Sequence, residues 1–236
     1  MNKIGVIGAM HEEVELLRAR MRDGVSSVFA GREFTEGMIG NARVVLVQCG
    51  IGKVNAAVCT EVLVNQFHVT HILNTGIAGS LNDEIDIGDA VVSTDAIQHD
   101  MDAVFFGYQP GEVPQLGTVS FPADPEFQKV VTEAVKHAAP DIHVFSGRVV
   151  SGDCFVSSDE KKQWIKDTFG GMCVEMEGAA IAQTAWINQI PFVIVRFISD
   201  KANHEAEKSY AEIETDAAQH SARITSDVLE RLSTEE

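Results

Sequence analysis

The sequence predicts an α/β fold, a layered sandwich of helices around a largely buried sheet. Short apolar runs alternate with helix-periodic segments from end to end. Glycine-bearing turns follow two of those runs, at Gly50-Ile51-Gly52 and at residues 74–80, where a strand must hand over to a helix. The length of 236 residues, 45% of them hydrophobic, suits one domain over 1–236 with a substantial core.

Residues 4–7 read as the first strand, and the helix after it sets Val14, Leu17 and Met21 on one face. A second strand over 44–47 precedes a helix over 52–66 that carries Val54, Val58 and Val62. Residues 71–75 and 90–93 are further strands. Helix then alternates with strand: 127–138 helical, 143–150 extended, 161–168 helical, 172–174 extended, 178–188 helical and 192–197 extended. A last helix begins near Tyr210, with Ile224, Val228 and Leu232 at steps of four. Strand order does not follow from this alternation. One long irregular stretch, 109–122, holds Pro110, Gly111, Pro114, Gly117 and Pro122. Loops of that length inside a compact domain are often functional.

Charge narrows the partners. There are 35 acids against 18 bases, a net charge of −17, and no Lys/Arg cluster. Binding to a phosphate backbone or an anionic membrane surface needs such a cluster, so neither nucleic acid nor membrane is expected as a partner. Cys49, Cys59, Cys154 and Cys173 are scattered without a CxxC, the pattern of reduced thiols in a cytoplasmic protein. His11, Glu12 and Glu13 interrupt the first apolar run too soon for a signal peptide. The uncharged stretch 178–195 contains Gln183, Asn188, Gln189 and Pro191, which argues against a membrane span.

The acids are the chemical signal. Glu175 and Glu177 flank Met176, and Asp200 follows Glu177 by 23 positions in the run Val-Arg-Phe-Ile-Ser-Asp. With Glu12 and Glu13 after the first strand, acids stand at the edges of three apolar runs. Open α/β folds bind ligands at such strand ends. Each acid alone has a structural reading: Glu12 and Glu13 as first-turn helix carboxylates, which is the reading preferred for Glu12, Glu177 as a helix cap, Asp200 as a turn residue. Their joint placement favours a site.

Other motifs are weaker. Gly50-Ile51-Gly52-Lys53-Val54 is not a P-loop, because Val47 replaces the first glycine and Val54 the hydroxyl residue. It reads as a tight strand-to-helix turn. Asn74-Thr75-Gly76-Ile77-Ala78-Gly79-Ser80 reads as a second turn, either structural or lining a polar ligand with its N–H groups. His68 and His71 lack a third ligand, so no metal site is expected. Gly5-Val6-Ile7-Gly8 has the wrong spacing for a dinucleotide fingerprint.

Six motifs in order, Ile-Gly-Ala-Met-x-Glu-Glu, Gly-Ile-Gly-Lys-Val, Asn-Thr-Gly-x-Ala-Gly, Ser-Gly-Asp-x-Phe, Val-Glu-Met-Glu and Ile-Ser-Asp, span essentially the whole chain. Together they closely resemble the bacterial 5′-methylthioadenosine/S-adenosylhomocysteine nucleosidases of the purine nucleoside phosphorylase superfamily. The resemblance implies a homodimer of three-layer α/β/α subunits with a central mixed sheet. It implies hydrolysis of an adenine nucleoside without metal or cofactor. By motif match Asp200, beside Ser199, protonates the leaving adenine, and Glu13 activates water with Arg196 as its polar neighbour. Glu177 receives the ribose hydroxyls and Met176 packs on the sugar, with Glu175 in the same motif.

The match also places Phe155 on the adenine ring, the Val156 backbone at the adenine edge, and Ile77, Ala78 and Gly79 among the substrate-binding residues. Met10, Ile51 and Tyr210 line the apolar 5′ end. Ala103, Phe106 and Pro114 reach the neighbouring subunit's 5′ pocket. Two departures stand out: Ile77 where many relatives carry Ser, and Tyr210 where Phe is common. A phosphorylase of the same superfamily, a nucleosidase for 6-amino-6-deoxyfutalosine and a noncatalytic nucleoside-binding protein are the competing readings.

Overall fold

The computed structural model describes residues 3–203 and 206–232, and for residues 207–216 the helical backbone alone. In chain order the elements are β1 (Lys3–Gly8), α1 (His11–Arg20), β2 (Arg22–Phe29), β3 (Arg32–Ile39), β4 (Ala42–Gln48) and α2 (Lys53–Asn65). Next come β5 (His71–Ser80), β6 (Ala90–Gln98), a 3-10 turn at Val104–Phe106, β7 (Phe121–Pro122) and α3 (Pro125–Ala138). The chain continues through β8 (Val144–Ser151), α4 (Asp159–Phe169), β9 (Cys173–Glu175), α5 (Gly178–Ile187), β10 (Phe192–Asp200) and α6 (Ala206–Leu232).

The strands form one mixed sheet in the order β10-β6-β8-β9-β5-β1-β4-β3-β2, with β7 on β6. Because β10 also pairs in parallel with β5, five strands close into a ring and the other half of the sheet fans out through β1. Helices cover both faces. On β1, Gly5 faces Leu63 and Val69 from the α2 side, whereas Gly8, three residues on, faces Val14 of α1. Odd spacing on a strand means opposite faces. Helices α1, α3 and α6 pack together, as do α2 and α5.

Local chemistry explains several boundaries. Asp124 accepts from the Phe127 N–H at 2.8 Å, with Pro125 at the first helical position, so α3 starts there. Ser158 caps α4 in the same way, and Gly170, at φ 65°, ends it in the left-handed conformation that glycine adopts without strain. The predicted apolar face of the last helix is present: Ile224 and Val228 are buried and Leu232 packs at the core's margin.

Three features differ from the sequence reading. The sequence predicts no strand over 22–39, where β2 and β3 form a hairpin; β2 is a mostly exposed edge strand, with Val25 and Val28 67% and 69% exposed, so no buried run marks it. The segment 74–80 is not a turn but the second half of β5, held in the ladder by β10 as far as Gly79. On α2 the valine stripe faces outward, with Val54 74% exposed, while Ala56, Cys59 and Leu63 face the sheet. Both faces of that helix are apolar, so periodicity alone did not choose between them. Cys49, Cys59 and Cys173 are buried free thiols and Cys154 is half-buried. Among the described residues no helix is long and apolar enough to cross a membrane.

Leu63 is fully buried between α2 and β1. Leu63→Ala should destabilise the fold by about 2–5 kcal/mol, read from the urea midpoint with an unchanged slope.

Candidate active site

The site forms where β5 changes partners. β1 pairs with β5 only as far as Asn74, and β9 takes over only at Gly79. Between them the edge of β5 faces a side chain instead of a strand. The Ile77 N–H donates to Glu13 Oε1 at 3.3 Å, and the Ala9 and Met10 N–H groups donate to Oε2 at 2.6 and 3.0 Å. Glu13 therefore sits in the first turn of α1 with three backbone donors on its carboxylate. Gly76 makes this approach possible: a Cβ there would lie 2.6 Å from Glu13 Oε1 and 3.2 Å from Arg196 Nη1. Even so, burial raises the Glu13 pKa, against the opposing pull of Arg196 and the three amides.

Arg196, on β10, is 2% exposed and lies beneath the pocket. Its Nη2 donates to Glu175 Oε2 and, at 2.6 Å, to Asn74 Oδ1; its Nε donates to the same Glu175 oxygen at 3.2 Å. Burial works to lower the Arg196 pKa, and Glu175, Glu13 and Glu177 together outweigh it and raise it. Glu175 borders the pocket, but its carboxylate is committed elsewhere: it also accepts from Ser151 Oγ and from the Gly178 N–H at 2.8 Å.

Glu177 stands at the N-cap position of α5 without capping it. Instead its Oε1 accepts from the Gly52 N–H at 2.7 Å, across the pocket floor from the Gly50-Ile51-Gly52 turn. That turn needs glycine at both ends, with φ of 85° at Gly50 and 98° at Gly52. Burial, then the nearby Glu175 charge, push the Glu177 pKa up to about 8. Asp200 ends β10 opposite Gly79, past a bulge. It accepts from the Ala202 N–H at 2.7 Å and from Ser199 Oγ at 2.9 Å, and burial raises its pKa.

Glu13, Glu177, Ser199 and Asp200 thus meet around one pocket whose other walls are Met10, Ile51, Ile77, Ala78, Gly79, Phe155 and Met176. Ala9 and Val174 also line it and were not singled out from sequence. Neither has a functional group, so adjacency to Met10 and Glu175 was the only available signal. Val156 is buried beside Phe155 and does not line the pocket, while Ala103, Phe106 and Pro114 lie outside it. The Tyr210 side chain lies outside the described residues. Glu12 takes no part in the pocket wall and remains a first-turn carboxylate. Chemically, the arrangement offers buried acids biased toward holding a proton beside an apolar slot that, among the described residues, no basic side chain lines.

A carboxyl whose pKa is higher folded than unfolded keeps its proton longer in the folded state. For Glu177 the stability this confers is complete below pH 4.5 and is lost as pH rises through about 8. Glu177→Gln cannot ionise, so it should raise Tm, and by more at about pH 9 than at about pH 5, in thermal melts of the ligand-free protein. An equal change at both pH values would contradict the burial of a charge there.

The sequence profile of the phosphorylase superfamily matches residues 3–232. A 5′-methylthioadenosine/S-adenosylhomocysteine nucleosidase from Exiguobacterium sp. is 40% identical over 231 residues, covering 98% of each chain. The Neisseria meningitidis 5′-methylthioadenosine/S-adenosylhomocysteine nucleosidase, solved with methylthio-immucillin-A, superposes with a TM-score of 0.93 at 38% identity, covering 98% of this chain and 99% of that one. An S-adenosylhomocysteine nucleosidase from Streptococcus pyogenes, solved with 5-methylthiotubericidin, gives 0.93 at 37% identity over 98% of this chain and 97% of its own. With six motifs in order, this sheet and this pocket, the chain belongs to the 5′-methylthioadenosine/S-adenosylhomocysteine nucleosidase family of the phosphorylase superfamily.

Proposed function

We propose that the protein hydrolyses the N-glycosidic bond of 5′-methylthioadenosine and S-adenosylhomocysteine, releasing adenine and the 5-thio-substituted ribose. The observation that carries this reading is the pairing of Asp200 and Glu13 on separate elements around one largely apolar pocket. Asp200, with its pKa raised by burial, gives a proton to adenine N7 as the C1′–N9 bond breaks. The ribosyl group becomes cationic, and a water oxygen bonds to C1′ from the opposite face while Glu13 takes a proton from it. This is the logic of inverting hydrolysis, with two carboxyl groups and room for water between them.

Glu177 accepts the ribose hydroxyls, and this bond strengthens as positive charge develops on the sugar. Phe155 stacks on the adenine ring, the Val156 backbone meets the base edge, and Met176 packs under the sugar. Met10, Ile51 and Ile77 surround the 5′ side, where the polarisable Met suits a thioether; Tyr210 belongs to the same end. Arg196 supports Glu13 from below. Ile77 offers no hydroxyl to a phosphate, and Arg196, the only basic residue tied to these motifs, is engaged by Glu175, which favours water.

The protein acts as a homodimer in this reading. Phe105 is 93% and Phe106 76% exposed, and Val104, Ile51 and Val54 add to the apolar surface. Such surface needs cover in a chain of net charge −17. A second copy supplies it, and Ala103, Phe106 and Pro114 of each subunit close the other's 5′ pocket.

Asp200→Asn should fold and bind but lose about 10²–10⁴-fold in adenine release from methylthioadenosine, followed in buffers with and without phosphate. Turnover near that of the unaltered enzyme, or a requirement for phosphate, would overturn the mechanism. Substrate choice is read by adding adenosylhomocysteine, adenosine, inosine and 6-amino-6-deoxyfutalosine to the same assay. Sedimentation should show a dimer, and Phe106→Ala should weaken methylthioadenosine more than adenosine, by about 1–3 kcal/mol. A fully active monomer, or equal losses for both nucleosides, would refute the shared pocket.

A further inference from the structure

The Gly-Ile-Gly-Lys motif has a lysine that no phosphate explains. Its ammonium points inward instead, 17% exposed, with Nζ donating to Asp100 Oδ1 at 2.6 Å and to Gln98 Oε1 at 2.9 Å. Asp100 is also bonded to the Asp153 N–H through its other oxygen, at 2.9 Å. Asp153 returns the connection, its Oδ1 accepting from the Lys53 N–H at 2.8 Å. The loop is closed: Lys53 to Asp100, Asp100 to Asp153, Asp153 to Lys53. Gln98 extends it to α5 by donating to Gln183. Burial of Asp100 works to raise its pKa, but Lys53 and the Asp153 amide prevail and hold it below the usual carboxylate range.

Three segments far apart in the sequence are tied at this point. One is the 50–53 turn, which carries Ile51 on the pocket wall and the Gly52 N–H that holds Glu177. Another is the 151–155 segment, which carries Phe155. The third is the end of β6 at residues 98–100, from which the chain runs into the exposed apolar turn Val104–Phe106. Glu13 and Asp200 stand apart from the tie, on α1 and β10, and none of their bonds passes through it.

We propose that Lys53, with Asp100 and Asp153, is a positioning group that sets the spacing between the Phe155 segment and the Ile51–Glu177 side of the pocket. This rests on the nucleosidase reading only for the ligand used in its test. The ion pair is partly buried and each carboxylate also takes a backbone donor, so the tie has the geometry that makes charge-assisted bonds effective. Removing the ammonium opens the ring and leaves, of its links between the 50–53 turn and the 151–155 segment, only the Lys53 N–H bond to Asp153, so both loosen in the empty protein. A ligand must then order them on binding, which weakens affinity. Once the ligand is seated, the proton-transferring acids are where they were, so turnover persists.

The test is Lys53→Met, which keeps the aliphatic stem and removes the charge, beside Lys53→Arg, which restores it. Hydrogen exchange in the ligand-free protein should quicken at segments 50–53 and 151–155 in Lys53→Met and return toward the original rate in Lys53→Arg. That readout needs no substrate, so it stands even if the nucleosidase reading fails, and adenine release by the unaltered enzyme tests that reading separately. With methylthioadenosine, KM should rise ~10-fold or more while kcat stays within ~3-fold, and Arg should recover KM. Asp100→Asn, close in shape, should match Lys53→Met, and the double variant should be no worse than either, because each alone opens the same ring. If Lys53→Met does not fold, Asp100→Asn carries the same comparison. An unchanged exchange rate, an unchanged KM in a folded variant, or kcat falling as far as KM rises would overturn the proposal.

Discussion

Three acids crowd one buried guanidinium, and the rest of the site depends on how that charge is shared. Arg196 is nearly inaccessible, and removing such a cation from water is costly unless a partner is held against it. Glu175 is that partner. It uses its remaining lone pairs on Ser151 and on the start of α5, which leaves Arg196 able to influence Glu13 and Glu177 only at longer range. Compensation for those two is therefore incomplete. Both have raised pKa values, the cost of burying carboxyls that no cation fully compensates.

The sheet supplies the opening in which this charge cluster sits. A strand with a neighbour on each side along its whole length has no N–H to spare. β5 has a gap between the ladder to β1 and the ladder to β9, and Glu13 fills it through the Ile77 amide. Pairing of β5 with β10 on its other edge keeps the backbone straight through the gap, so Arg196 arrives in register with Gly76. The missing Cβ at Gly76 then admits both charged groups. Binding at the point where strand partners change follows from the availability of backbone donors there, as in other α/β sheets.

The pocket joins segments of unequal restraint. Asp200 is held by the Ala202 amide and the adjacent Ser199, and Glu13 by the Ala9 and Met10 amides with one long-range bond from Ile77, whereas the 50–53 turn and the Phe155 segment are tied through Asp100 and Asp153. These two acids are thus held mostly by local geometry, and these two walls by tertiary contacts. The apolar turn at Val104–Phe106 begins a few residues beyond Asp100, so the surface proposed to meet a second subunit is linked to the pocket wall through the hydrogen bonds of the same tie.

Much of this was legible in the sequence, and for identifiable reasons. Alternating apolar runs marked β1, β4, β8 and β10 because buried strands have no choice of composition, and the steps of four at Ile224, Val228 and Leu232 marked α6. The acids at strand ends were visible because charge beside an apolar run is unusual. The exposed β2 edge left no such mark, and α2, apolar on both sides, did not disclose which face turns inward. Residues 74–80, rich in small residues, looked like a turn; only pairing with β10 makes them a strand. The sequence by itself determined the fold class, the reactive residue types and the family, since these depend on local pattern and motif order. Tertiary structure alone decided that Glu175 would hold Arg196 while Glu177 reached Gly52, and that Lys53 would face Asp100. Those outcomes depend on distances between segments up to 125 residues apart, which no local pattern specifies.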